Sequence, residues 1–370
     1  MTTASTPPAP AAPSASAVTF GLDTFGDVTV DADHRSVGHV RTLRDVVAQA
    51  ELADRVGIDH FSVGEHHRPD FAVSAPDIVL AAIASRTERI TLGTAVIVLS
   101  SDDPIRLYER FSTLDALSGG RAELTVGRGS FTESFPLFGH SLQDYETLFE
   151  EKLDLLATAL RERPVSWSGS IRPPLKDQEL FPPLERELPT WVAVGGSPNS
   201  VVRAARHGLP LMLAIIGGSH ERFAPYVDLF REATSQLGTG ALPVGVHSPG
   251  HVAATDAEAR EQLLEHWIAQ RNQIGAERGW GPTGPAEFDA EMQHGALYAG
   301  SPETVARKIA RTVQDLGLDR FDLKYANGPV PHEQLMTSIE LYGTEVIPRV
   351  RELLAQGASD AALPRRSPGR

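Results

Sequence analysis

Hydrophobic positions along this chain switch repeatedly between two periods. Short β-branched runs such as VTFGL (18–22), DHFSV (59–63), ITLGTAVIVL (90–99) and RAELTVG (121–127) each precede a longer segment of helical spacing. Val40, Leu43, Val47 and Ala50 mark the first helical face, and Pro76 and Pro104 open the next two, proline being tolerated in a first turn. The alternation continues through PTWVAVGG (189–196), LPLMLAII (209–216), LPVGVHS (242–248) and DRFDLKY (319–325), with helices predicted at 144–160, 198–208, 221–237, 256–270, 302–317 and 332–354. About eight strand–helix units require a parallel sheet with helices on its faces, and they favour closure into a (β/α)8 TIM barrel over an open sheet. The expected organisation is a tail over 1–17, one barrel domain over 18–355 with inserted loops at about 163–189 and 275–300, and a flexible tail over 356–370.

Composition narrows the functions. A chain of 370 residues with 41% hydrophobic residues can bury a large core, and its net charge of −14 repels nucleic acid and anionic membranes alike. The absence of cysteine removes disulfides, thiolate metal sites and a cysteine nucleophile. No apolar run reaches the roughly 18 residues that a membrane span requires, and the Pro/Ala/Ser-rich residues 1–17 lack the basic and leucine-rich regions of a secretory signal, so the cytoplasm is expected.

In barrels of this kind chemistry sits where the strands end. FSVGEHH (61–67) ends a strand with Glu65, His66 and His67. Strand alternation puts Ser62, Gly64 and His66 on one face and turns His67 away from His66. A shared metal is therefore not expected, no clustered ligand spacing is present, and His66 is either an acid–base group at the barrel mouth or a histidine that merely caps a loop. GRGSF (127–131) sets Arg128 between two glycines, where its guanidinium suits a phosphate or carboxylate, or else a rim ion pair. VGGSPNSVV (194–202) is the stronger signal. Gly195 and Gly196 end a strand, Ser197 stands at an N-cap before Pro198, and Ser200 lies in the first turn, which makes an anion site more expected than an ordinary serine cap. GSPETVARKI (300–309) has the same shape with one glycine and reads more as plain capping. Trp280, Phe288, Met292 and His294 in 275–300 form a lid or, more simply, anchor that segment.

GIDHFSVGEHH, RITLGTAVIVLSSDDPIRLYERFSTLDALSGGRAELTVGRGSFTESFPLFG, VGGSPNSVVRAARHGLPLM and IELYGTEVIPRVREL together, over roughly 18–355, resemble the flavin-dependent bacterial-luciferase-like oxidoreductases. The resemblance implies a (β/α)8 barrel, commonly a homodimer, that binds reduced FMN supplied by a separate NAD(P)H:flavin reductase and reacts it with O2 to oxidise a small organic substrate. It makes His66 the active-site histidine beside the flavin and Arg128 a phosphate contact. It gives Gly195, Gly196, Ser197 and Ser200 to the phosphate turn, and Ala95–Val96 to a non-proline cis peptide against the flavin ring. Gly196 stands where the luciferase has a glutamate, so that side-chain contact to the cofactor is lost, and Gly127 stands where it has a cysteine, a departure that argues against aldehyde or light-producing chemistry. Two rival expectations are a deazaflavin-dependent hydride-transfer dehydrogenase or reductase on the same barrel and a non-catalytic flavin-binding protein.

Overall fold

A computed structural model describes residues 18–129 and 131–362. Its strands in chain order are β1 (Thr19–Thr24), β2 (His60–Val63), β3 (Thr91–Thr94), β4 (Ile97–Val98), β5 (Leu124–Gly127), β6 (Val165–Trp167), β7 (Leu175–Gln178), β8 (Thr190–Val194), β9 (Leu211–Ala214), β10 (Val244–Val252), β11 (Tyr298–Gly300) and β12 (Arg320–Lys324). Helices are α1 (Gly38–Arg55), α2 (Pro76–Ala84), α3 (Pro104–Ser118), α4 (Ser134–Leu137), α5 (Tyr145–Arg161), α6 (Pro198–Arg206), α7 (Ala224–Leu237), α8 (Asp256–Arg278), α9 (Pro285–Gln293), α10 (Pro302–Leu316), α11 (His332–Leu341) and α12 (Ile347–Ala362).

The large sheet runs β3-β2-β1-β12-β10-β9-β8-β5-β4, every pair parallel. β3 and β4 are two parts of one strand position, separated by the cis Ala95–Val96 peptide. The sheet closes because β3 also meets the start of β5: Leu92 N donates to Arg121 O (2.8 Å) and Glu123 N to Leu92 O (3.0 Å). Higher up, the Thr94 hydroxyl donates to Thr125 O (2.7 Å) and accepts from Thr125 N (2.8 Å). The result is an eight-position α/β barrel in sequential order, with helices returning the chain outside it.

Alternation along the strands sorts side chains between two environments. Phe20, Leu22, Phe61, Val63, Leu124, Val126, Leu211, Leu213, Phe321 and Leu323 are fully buried in the apolar core. The opposite set is polar and small: Gly21, Asp23, Ser62, Gly93, Glu123, His247, Arg320 and Asp322. These groups crowd one another, since a Cβ at Gly21 would stand 2.3 Å from Asp322 Oδ1 and one at Gly93 2.6 Å from Ser62 Oγ.

The sequence expectation fails at both ends of the insertions. The stretch 275–300, expected as a loop, contains the last turn of α8, all of α9 and β11, because Gly279 (φ +68°) stops α8 and Pro285 starts a new helix. Phe288 there is completely buried and meets Trp267 edge-on at 5.3 Å, so it anchors the segment. Within 163–189, β6 and β7 form an antiparallel hairpin. α12 carries regular structure to Ala362, seven residues into the predicted C-terminal tail; the remainder of that tail and residues 1–17 lie outside the described residues. Val40 faces solvent, displaced from the predicted helical face.

Near the N-terminal ends of the strands the barrel interior holds a buried ion cluster. Arg320 bonds Asp322 through Nε (2.8 and 2.9 Å) and Glu123 through Nη1, and His60 Nδ1 lies 3.4 Å from the Glu123 carboxylate. Burial alone would raise the Glu123 carboxyl, but the Arg320 guanidinium and His60 outweigh it and lower the group from 4.5 to about 2. A lowered carboxylate stabilises the fold above its unfolded value, and that contribution fades as pH falls from about 4.5 toward 2. Glu123→Ala, which leaves Arg320 less compensated, is expected to cost about 3–5 kcal/mol at pH 7 in urea unfolding. The difference from the parent should shrink below pH 4; a penalty that persists unchanged at pH 2.5 would contradict the assignment.

Candidate functional site

Where all eight strand positions end, one cavity of about 560 Å³ opens. Each position sends at least one residue to it, for example Asp23 from β1, His66 after β2, Gly127 from β5, Val194 from β8 and His247 from β10. The sequence-predicted residues His66, Ala95, Val96, Arg128, Gly195, Gly196, Ser197 and Ser200 all line this one space.

The run after β2 divides its labour. Glu65 accepts from Val98 N (3.0 Å) and from His67 Nε2 (2.8 Å), so that pair ties the β2 loop to β4. His66 is held otherwise. Its amide donates to Val73 O (2.9 Å), its Nδ1 bonds Glu133 Oε1 (3.2 Å), and its ring meets Phe25 and Phe71 at 4.7 Å and Phe131 at 5.0 Å. Burial would raise the Glu133 carboxyl, but the hydrogen bond and charge of His66 hold it below the ordinary glutamate value. With Nδ1 committed to a carboxylate, Nε2 is the nitrogen left to accept or pass a proton. The space above Gly64 is filled by Phe25, whose ring carbon would stand 2.4 Å from an added Cβ.

A second histidine lies deeper: His247 Nδ1 bonds Asp23 Oδ2 at 2.7 Å. Lys324 is paired with Asp27 (3.0 Å) and stands 4.8 Å from the centre of the Phe25 ring.

Across the mouth, the ends of β5 and β8 meet the start of α6. Gly129 and Gly196 take positive φ (+78° and +114°), and nothing lies within 4 Å of a Cβ added at Gly195. Ser197 is the N-cap of α6 but its hydroxyl makes no capping bond; Pro198 has no N–H and Ser200 N donates to Ser197 O (3.0 Å), so Asn199 N is the first-turn amide without an acceptor among the described residues. α10 shows the opposite arrangement. Ser301 caps it, and the Asp256 carboxylate takes Ser301 N (2.7 Å) and the Thr304 hydroxyl (3.0 Å). The second GSP turn therefore already holds its own anion, and plain capping is the correct reading there.

Arg128 stands beside the α6 turn, 5.3 Å from the centre of the Tyr145 ring. Burial raises the Tyr145 phenol above its ordinary value, keeping it neutral beside the arginine. Glu146 bonds Arg128 with one oxygen and Arg203 with the other (3.1 Å), and Arg203, itself buried, also bonds Glu150 and reaches the Ser200 hydroxyl at 3.5 Å. Arg128 and the buried Ser200 hydroxyl thus line the cavity here, while Arg203 stands behind them, reaching Glu146 and Ser200.

Sequence reading missed Glu133, Phe25, Asp23, His247, Glu146 and Arg203. Asp23 and His247 were within reach, because His247 is a polar residue in a predicted strand and Asp23 directly follows one. Glu133, Glu146 and Phe25 lie outside the strands, and no local period marks them. Among the described residues, His220, Glu221 and Asp315 come within metal-ligand reach of one another, yet they stand apart from the cavity walls and both carboxylates already bond Arg311.

Comparison with known proteins places this geometry. The chain is 27% identical over 291 residues to the N-acetyl-S-alkylcysteine monooxygenase of Bacillus subtilis, covering 73% of this chain and 83% of that one. Its fold matches the oxygenating constituent of 3,6-diketocamphane monooxygenase from Pseudomonas putida, solved in complex with FMN, with a TM-score of 0.72 at 19% identity over 90% of this chain and 98% of that one. It also matches the coenzyme F420-dependent tetrahydromethanopterin reductase of Methanopyrus kandleri, with a TM-score of 0.67 at 18% identity over 90% and 99% of the two chains. The family model described as luciferase-like monooxygenase matches residues 19–320, so this chain belongs to the luciferase-like monooxygenase family.

Proposed function

We propose that the protein is an FMN-dependent monooxygenase that uses reduced FMN and O2 to oxidise a small organic substrate. The observation that carries this reading is the pairing, in one cavity, of an uncapped helix start beside Arg128 with a caged histidine on the far wall. These residues fit a flavin mononucleotide. A phosphate would be held by the α6 amides, the Ser197 and Ser200 hydroxyls and the guanidinium donors of Arg128 that Glu146 does not take. Gly195 leaves its backbone bare, with nothing within 4 Å of an added Cβ, while Val96 packs against Gly127 and lines the same wall with Ala95.

When bound, the flavin supplies the reducing electrons and the oxygen activation, which side chains cannot provide. The chain does the rest. Phe25, Phe71 and Phe131 exclude water around His66, and Glu133 fixes the Nδ1–H tautomer. His66 Nε2 then holds or moves a proton at the reacting face. The proposal includes delivery of reduced FMN by a separate NAD(P)H:flavin reductase, a homodimer and a cytoplasmic location. No helix among the described residues is long and apolar enough to cross a membrane.

A deazaflavin-dependent hydride transfer is the second reading, because F420-dependent enzymes share the barrel. Titration of the purified protein with FMN, reduced FMN and a deazaflavin separates the two, and tighter binding of the deazaflavin would reverse the proposal.

Arg128→Ala is expected to weaken FMN by about tenfold or more while riboflavin, which lacks the phosphate, loses little. Equal losses for both would remove Arg128 from the phosphate. His66→Ala should bind FMN as the parent does but form product about 100-fold more slowly, the reducing equivalents appearing as H2O2. Parental product yield in that variant would end its catalytic role.

A further inference from the structure

The cations that wall the cavity differ in one respect. Arg128 has Glu146 and Lys324 has Asp27, but Arg271 has no carboxylate within ion-pair distance among the described residues. Among the described residues its guanidinium makes one hydrogen bond, to the Ile216 carbonyl at 3.4 Å. Nearby Glu291 does not serve it, since that carboxylate accepts from Gly218 N (2.9 Å) and Ala296 N (2.8 Å).

The local sequence explains how it is held. Trp267, Arg271 and Ile274 recur at helical spacing on α8, and all three line the cavity. Gly279 ends α8 and turns the chain back, so that Trp280 N bonds Gly275 O (2.9 Å) and the Trp280 indole returns to Arg271. The guanidinium lies 4.7 Å from the centre of the Trp280 ring and 5.5 Å from that of Trp267. Two indole faces orient the cation and shield it from water while leaving N–H donors for a ligand.

We infer that Arg271 recognises an anionic group on the substrate, which makes the substrate an organic acid with its carboxylate at the rim and an apolar body inside. A planar carboxylate matches the fork of a guanidinium, and Ile216, Ile274, Trp267 and Phe25 give the body apolar walls. The inference rests on reading this cavity as the oxidation site. The other source of an oxyanion is the FMN phosphate itself. Arg271 follows β10, three positions round the ring from β5, where Arg128 stands, so the two cations serve different parts of the mouth.

The test compares 4-phenylbutanoate with 4-phenylbutan-1-ol, read by quenching of tryptophan fluorescence at low salt, with FMN and riboflavin titrated separately. The parent protein should bind the acid about tenfold more tightly than the alcohol. Arg271→Gln should erase that preference and leave the alcohol unchanged, and Arg271→Lys should recover part of it. Equal binding of the two probes, or none of either, overturns the inference, as does an equal loss of both in Arg271→Gln. A loss of FMN affinity in that variant that riboflavin does not share assigns the guanidinium to the phosphate and overturns it too. Retained acid preference in a protein that fails to bind FMN would leave the inference standing and bring down the flavin reading instead.

Discussion

The structure depends on how a closed barrel accommodates charge inside itself. The inner faces of β1, β5, β10 and β12 carry Asp23, Glu123, His247, Arg320, Asp322 and Lys324, and water has little access to them. Each charge must then be matched by a neighbour, because an isolated buried ion costs several kcal/mol. Arg320 is matched by Glu123 and Asp322 below, His247 lies against Asp23 above, and Lys324 is matched by Asp27 at the rim. Glycines at 21 and 93 are required where these groups crowd the wall, since a Cβ at either position would collide with Asp322 or Ser62. The interior is therefore a stack of paired polar groups, and the cavity is the place where that stack ends.

The barrel was legible because its evidence is periodic. Strand alternation and helical spacing repeat over eight units, and errors in single boundaries leave the order intact. The strand ends at His66, Arg128 and Gly195–Gly196 were legible for the same reason: the fold assigns them to one rim. What escaped was everything that depends on contacts between distant segments. Glu133 is 67 residues from His66, and its role exists only because α4 folds over the mouth. Phe25 comes from the loop after β1 and fills the space above Gly64, a contact that no local pattern announces. Pro282 and Pro285 and the glycines around them make 275–300 look irregular, yet α9 forms there because its buried Phe288 packs on Trp267.

The two GSP turns show why a motif needs its surroundings. GGSP at 195–198 and GSP at 300–302 both open helices with serine and proline, and both offer free amides and a favourable dipole. At α10 the chain brings Asp256 to those donors, and the turn is satisfied internally. At α6 no carboxylate takes the helix-start amides among the described residues, Glu146 bonds Arg128 and Arg203 instead, and the serine caps nothing. The helix start is the same local object in both places; the location of one acid decides whether it closes on itself or stays open to an external anion.

Glu146 also sets the terms on which such a receptor works. Its carboxylate bridges two guanidiniums, so the buried Arg203 is not left to Glu150 alone. A phosphate offers more acceptor oxygens and more charge than this carboxylate, and it can use the α6 amides that Glu146 does not reach. Glu146 is largely exposed, with 62% of its side chain accessible, so moving it costs little burial. A single carboxylate on a ligand has no such advantage over Glu146, because it would exchange one like ion pair for another. Discrimination between phosphate and carboxylate at this side of the mouth would thus follow from a competitor already in place, whereas Arg271, as inferred above, would meet a carboxylate with no acid to displace.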